Sequence, residues 1–265
     1  MNILVTFATA EEFAPWRRHH AFSKIKIAEL EIYRARFADT EVSILLTGIG
    51  PANSGANMLG VCMLRASQDG YFDSCISTGL AGSLRAEHHP CHVLAARTVR
   101  TGQVHQDLRS DSIASDPVLL EVAENSGARI VEAFFTSDHI VAGPQEKAKL
   151  AKFADAVEME SFDILKEVNA FGARAIAIRA ISDGFDEELP LDFSAVLTRD
   201  GKVSASRVIG QVARKPGRIP SLLAFARQSR RAATALADFL DRYIAAVSKS
   251  NVQPRRMDAE EVSAT

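Results

Sequence analysis

Short apolar runs rich in Val and Ile recur along this chain, and stretches of helical patterning separate them. The runs are Ile3–Ala8, Glu41–Thr47, Ser74–Thr78, Val93–Val99, Ile130–Phe135 and Ala173–Ile181. Glu29–Ala38 precedes the second run as its hairpin partner. The last run, ARAIAIRAI, mixes alternation with continuous apolar character, as strands buried on one or both faces do. Helical patterns occupy Pro51–Ala66, Pro117–Asn125, Pro144–Ala154 and Glu160–Ala170. Pro51, Pro117 and Pro144 each stand where a first helical turn accepts proline, because the N–H it lacks has no helical partner there. Strand–helix alternation of this kind predicts an α/β sheet with helices on both faces.

Composition excludes several classes of function. Lys plus Arg is 31 and Asp plus Glu is 33, a formal net charge of -2. Nucleic-acid binding needs a basic footprint, so no nucleic-acid partner is expected. Cys62, Cys75 and Cys91 are too few and too scattered for a disulfide framework or a CxxC metal pattern, which fits a reducing compartment. The N-terminal apolar run meets Glu11 and Glu12 at once, so it does not read as a signal peptide. No apolar stretch is long enough to span a bilayer. The expectation is a cytoplasmic protein.

The C-terminal part differs. Residues 199–231 hold nine Lys or Arg against one acid, Asp200. A long helix is predicted from Ser221 to about Val247. Leu222, Phe225, Ala232, Leu236, Phe239, Leu240, Tyr243 and Val247 share one face of it. Such a helix either docks on the core with its arginines solvated or offers a basic amphipathic surface to anionic lipid or a partner. Residues 248–265 are polar and read as a disordered tail.

Four groups of residues sit at the C-terminal ends of predicted strands, where open α/β sheets bind ligands. They are Ala8-Thr9-Ala10-Glu11-Glu12, then Thr47-Gly48-Ile49-Gly50-Pro51, then Thr78-Gly79-Leu80-Ala81-Gly82. The fourth combines Val157-Glu158-Met159-Glu160 with Arg179-Ala180-Ile181-Ser182-Asp183. Singly each has a plain structural reading. The glycine segments are turns or a strand-to-helix connection, Glu12 a first-turn acid, Asp183 an N-cap, and Glu158 to Glu160 the start of a helix. Together, the segments FATAEEF (7–13), TGIGPANSG (47–55), STGLAG (77–82), TSDHIV (136–141), AVEMES (156–161) and RAISD (179–183) resemble the nucleoside phosphorylase and nucleosidase superfamily.

The resemblance implies a single-domain, three-layer α/β/α phosphorylase-like fold with a central mixed sheet over residues 1–247, of which 187–247 form a basic helical extension. It implies cleavage of the N-glycosidic bond of an adenine nucleoside through an oxocarbenium-like transition state. Asp183 would be the general acid to purine N7. Its carboxyl must then hold a proton near working pH, which burial or a neighbouring carboxylate would arrange. Glu160 would bind the ribose hydroxyls and Met159 would pack on the ribose. Glu12 would position the attacking water. Ile140 and Val141 would wall the base. Ala81 and Gly82 would let backbone approach the ligand, and Ile49, Glu158 and Ser182 would complete the substrate site. No cofactor or metal is implied, and a homodimer is.

Phosphorolysis needs a cationic cradle, normally with arginine. Glu11 and Glu12 occupy the place after the first strand where one would stand, which favours water. Arg17, Arg18 and Arg85 are the cations that could reverse this reading. The segment from Asp200 to Ala232 resembles hopanoid-associated phosphorylases, which are thought to act on adenosylhopane, and this keeps a phosphate-dependent alternative with peripheral contact at the inner membrane open. His105 could reach the sugar's 5′ side. A non-catalytic nucleoside binder is the competing class, although Glu12, Glu160 and Asp183 are all present.

Overall fold

The computed structural model describes residues 1–27, 30–66, 72–102, 111–191 and 216–250, and the single positions 195, 198, 207, 211 and 213. The predicted alternation appears as an eleven-stranded mixed sheet in the order β2-β3-β4-β1-β5-β11-β6-β10-β9-β7-β8. Its centre is parallel: β1 (Asn2–Phe7) lies between β4 (Thr40–Leu46) and β5 (Ser74–Ser77), and β11 (Arg174–Asp183) pairs with β5 on one side and β6 (Leu80–Ser83) on the other. β7 (Val93–Thr101) also pairs with β11, antiparallel, so the strands β11–β6–β10–β9–β7 return to β11 and close on themselves. β9 is Arg129–Thr136 and β10 is Ala156–Glu158.

Side-chain alternation divides the core into two layers. Val5, Ile44 and Ile176 point to one face, where they meet Phe13 and Trp16 of α1 (Ala10–His19), Leu119 of α3 (Pro117–Asn125) and Leu236 and Phe239 of α6 (Ile219–Lys249). Their neighbours Leu4, Leu45 and Ala175 point to the other, against Met58 and Val61 of α2 (Pro51–Ala66) and Ile164 and Leu165 of α5 (Ser161–Ala170). The expected α/β/α layering is therefore present. β11 is buried over nearly its whole length, as its apolar character predicts, and it carries Arg179, Ser182 and Asp183 into the interior with it.

Several local expectations are corrected. Two edge strands escaped the pattern, β2 (Ser23–Ile27) against β3 (Leu30–Phe37) and β8 (Asp111–Ala114) against β7. Thr78–Gly82 is no strand-to-helix turn: its last three residues begin β6, held between β11 and β10. Glu158 ends a strand and α5 starts at Ser161. Three or four residues are too few for a period, and their conformation comes from neighbours distant in sequence. α4 (Pro144–Leu150) stops before Ala154.

The basic C-terminal helix docks on the core. Leu236, Phe239, Leu240, Tyr243 and Val247 of α6 are fully buried. Asp241 joins it to α1, accepting from Trp16 Nε1 at 2.6 Å and contacting His20 Nε2 at 2.7 Å. Leu222 and Phe225 leave this buried face and line a cavity instead. Among the described residues no helix is long and apolar enough to cross a membrane. His105, the tail 251–265 and most of the basic stretch 199–215 lie outside the described residues.

Candidate active site

A cavity of about 900 Å³ opens at the C-terminal ends of β1, β10 and β11. Glu12, Ile49, Ala81, Gly82, Ile140 and Val141 line it, as do Glu158, Met159, Glu160, Ser182 and Asp183. Apart from His105, which lies outside the described residues, the residues singled out in the sequence as catalytic or substrate-binding thus meet around one space.

Glu12 is held by a reciprocal cap. Thr9 precedes α1 in extended conformation; its side chain accepts from Glu12 N, while Glu12 Oε2 accepts from Thr9 N at 3.0 Å. Glu12 Oε1 accepts from Leu80 N at 3.0 Å. That bond explains Gly79, whose φ is +147° and whose Cβ, if present, would lie 3.1 Å from Glu12 Oε1. Burial raises the Glu12 pKa, against the lowering effect of the Leu80 N–H, the Arg179 charge and Thr9.

Glu158 and Glu160 sit alike in sequence and differently in space. Glu158 Oε1 accepts from Thr136 Oγ1, and Oε2 accepts from Glu160 N at 3.0 Å, Ser161 N at 2.8 Å and Arg179 Nη2 at 2.5 Å. Through Oε2 its carboxylate therefore holds the start of α5 and pairs with the fully buried Arg179, while Oε1 is taken by Thr136. Glu160 accepts from Gly50 N at 3.1 Å. Burial, then the charge of Glu158, push its pKa up to about 8, against the pull of Arg179. Met159 extends over the glycine turn, its Cε 3.9 Å from where a Gly50 Cβ would stand.

Asp183 ends β11 and is 5 % exposed. Oδ1 accepts from Ser182 Oγ at 2.6 Å. Oδ2 accepts from Nζ of Lys147, on α4, at 2.5 Å. The sequence led us to expect burial or a carboxylate beside Asp183; burial is there, but the neighbouring charge is an ammonium. Lys147 was not foreseen. A signal existed, since helical spacing puts it on one face with buried Leu150, but Lys149 and Lys152 nearby conceal it.

The doubtful arginines are now placed. Arg17 lies over the Tyr33 ring, 4.9 Å from its centroid, and Arg85 pairs with Asp155 at 3.1 Å. Arg18 lines the cavity from the last turn of α1. At 1.5 Å of rise per residue it stands roughly 9 Å along the helix from Glu12. Arg227 and Arg230 line the cavity from α6. Gln228 binds that helix to the site, donating to Ser182 O and Glu187 Oε2, both at 2.8 Å. Among the described residues no group of three or more His, Cys, Asp or Glu could hold a metal ion.

A mixed α/β sheet with five acids, Glu11, Glu12, Glu158, Glu160 and Asp183, around a cavity at its strand ends describes a site for a small polar organic molecule with an apolar part. Residues 2–214 match the family model of the phosphorylase superfamily. The chain belongs to that superfamily. It is 25% identical over 235 residues to a 5′-methylthioadenosine/S-adenosylhomocysteine nucleosidase of Glaesserella parasuis, covering 80% of this chain and 98% of the relative. The corresponding nucleosidase of Shewanella oneidensis is 28% identical over 200 residues, covering 69% of this chain and 84% of the relative. Among solved structures, the Campylobacter jejuni nucleosidase superimposes with a TM-score of 0.68 at 20% identity, over 92% of this chain and 98% of that one. Helicobacter pylori futalosine hydrolase does so with a TM-score of 0.68 at 19% identity, over 92% and 97%.

Proposed function

We propose that this protein cleaves the N-glycosidic bond of an adenine nucleoside, with water as the nucleophile. The observation that carries this reading is the meeting of Glu12, Glu160 and Asp183 in one cavity, each held by at least one hydrogen bond from backbone or a neighbouring side chain. Nucleosidase relatives spanning most of the chain support it. Glu160 holds the ribose hydroxyls and Met159 packs on the sugar. As the C1′–N9 bond breaks, its electron pair passes to the base and Asp183 delivers a proton to N7. The same carboxyl accepts from a 6-amino group, which favours adenine. Glu12 orients the water that bonds to C1′ and takes its proton. Water is preferred to phosphate because Glu11 and Glu12 follow the first strand, and Arg17 and Arg85 are engaged elsewhere; Arg18 lines the cavity and is the cation a phosphate would need to recruit.

A second reading rests on the outer cavity. Leu222, Leu223, Phe225 and Ala226 of α6 line it beside Arg18, Arg227 and Arg230. Leu223 and Ile219 remain 50 % and 41 % exposed. This apolar mouth with a cationic rim suits a nucleoside with a bulky apolar 5′ group such as adenosylhopane, drawn from an anionic membrane surface, whether water or phosphate attacks. A homodimer is part of the proposal too: Leu59 and Met63 on α2 are 40 % and 58 % exposed, which a second copy would cover.

The test is adenine release from methylthioadenosine with and without phosphate, identifying the sugar product. Free methylthioribose at a phosphate-independent rate supports the hydrolase. No turnover moves the substrate to one with a lipid group, and adenosylhopane is then assayed. Tight binding of both without turnover of either would leave only a nucleoside binder.

A further inference from the structure

Lys147 is fully buried, and its ammonium has three hydrogens and three acceptors: Asp183 Oδ2 at 2.5 Å, Gly184 O at 2.6 Å and Glu187 O at 3.2 Å. Two of these acceptors belong to the loop that follows β11. The third is the carboxyl assigned above as the acid. A lysine on a helix face is normally solvated, and burying its charge is unfavourable unless it is fully paired. Here the pairing is complete and directed at one oxygen of the reacting group. The other ionisable side chains around the cavity are Glu11 and Glu12 on α1, Glu158 and Glu160 ahead of α5, His139 ahead of α4, and Arg18, Arg227 and Arg230. Glu158 is taken by Arg179, and His139 by Asp138 and Glu146, each at 2.6 Å. Arg179 pairs with Glu158 and also lies 3.7 Å from Glu160. Among the described residues, Lys147 is the cation paired with Asp183.

We propose that Lys147 is a positioning residue for the cleavage step, holding the Asp183 carboxylate in place and storing, as its ammonium, the proton that reaches the purine. The proposal rests on the N-glycosidase reading. In the empty site the pair is ammonium and carboxylate and carries one transferable proton. As C1′–N9 breaks and the base gains its electron pair, that proton passes from Nζ to the Asp183 carboxyl and from the carboxyl to N7. Lys147 is left as a neutral amine. The attacking water gives a proton to Glu12, and exchange with solvent after product release restores both groups. Without the ammonium, the Asp183 carboxylate must take its proton from solvent, whose supply falls as pH rises.

The test compares wild type with K147M and K147R on methylthioadenosine, or on whichever nucleoside the wild type cleaves. The K147M defect in kcat should be large above neutral pH and shrink at least tenfold at pH 5, where solvent protonates Asp183 directly, with KM within a few-fold. K147R keeps the position but not the transferable proton, so its kcat should stay low at every pH. An equal loss at all pH values in K147M, or full rescue by arginine, overturns the proposal. K147Q provides the same comparison if K147M does not fold. A second readout needs no turnover and so separates this inference from the activity itself. Difference infrared spectra at neutral pH should show no protonated-carboxyl band from Asp183 in wild type. K147M should show one at pH 5 that fades above neutral pH, and it should be absent from K147M/D183N. A band in wild type, or none in K147M at pH 5, also overturns the proposal.

Discussion

Arg179 Nη2 stands 2.5 Å from Glu158 Oε2 and 3.7 Å from Glu160 Oε2, so one buried guanidinium is shared unequally between two carboxylates. The nearer one is neutralised and caps a helix. The farther one faces burial and the charge of its neighbour with less compensation, which is why Glu160 is pushed up to about 8.

That asymmetry makes folding stability depend on pH with a definite sign. The folded protein holds a proton on Glu160 that the unfolded chain has already lost, in the window between the ordinary carboxyl range and about pH 8. Bound protons are then more numerous in the folded state, so the contribution of Glu160 to stability falls as pH rises through that window. Urea unfolding at pH 5 and pH 8 should show the decline, and Glu160→Gln should flatten it. A slope unchanged in the variant would show that Glu160 is not its source.

Asp183→Asn should bind nucleoside but release adenine about 10²–10⁴-fold more slowly, because the amide cannot supply the acid proton. Activity within a few-fold of wild type would remove Asp183 from that role. Single-turnover rates beside equilibrium binding separate the two effects.

Glu12→Gln keeps the size of the side chain and loses the base. Phosphate-independent turnover should fall by about 10²-fold or more. If it falls little, and added phosphate accelerates the wild type, water is not the nucleophile.

Gly82 is tied to the acid by space rather than by its backbone angle. A Cβ there would stand 2.9 Å from Asp183 Oδ2 and 3.4 Å from Val157 Cγ1. Gly82→Ala should push the carboxyl aside and lower kcat by about 10²-fold, with the thermal midpoint nearly unchanged. A normal kcat would mean that the Asp183 carboxyl has room to move.

Much of the fold was legible because it is written locally. Short apolar runs such as Ile3–Ala8 and Ala173–Ile181 mark buried strands, and Pro51, Pro117 and Pro144 mark helix starts. The segments that contain Glu12, Ile49, Gly82, Glu160 and Asp183 stood at strand ends, and the sheet brings those residues together around one cavity. The sequence by itself determined the layered architecture, the family and the set of acids. Only the tertiary structure decided how those acids are paired. Glu158 and Glu160 are two residues apart on the chain, yet the path of β11 brings Arg179 closer to the first. Lys147 and Asp183 are 36 residues apart, on a helix and a strand, and no spacing announces their contact. Leu222 and Phe225 continue the apolar face of α6, yet they line the cavity rather than join the buried core. Periodicity reports what one element presents. The charge state of a buried group depends on what other elements present to it, and that is set by packing in three dimensions.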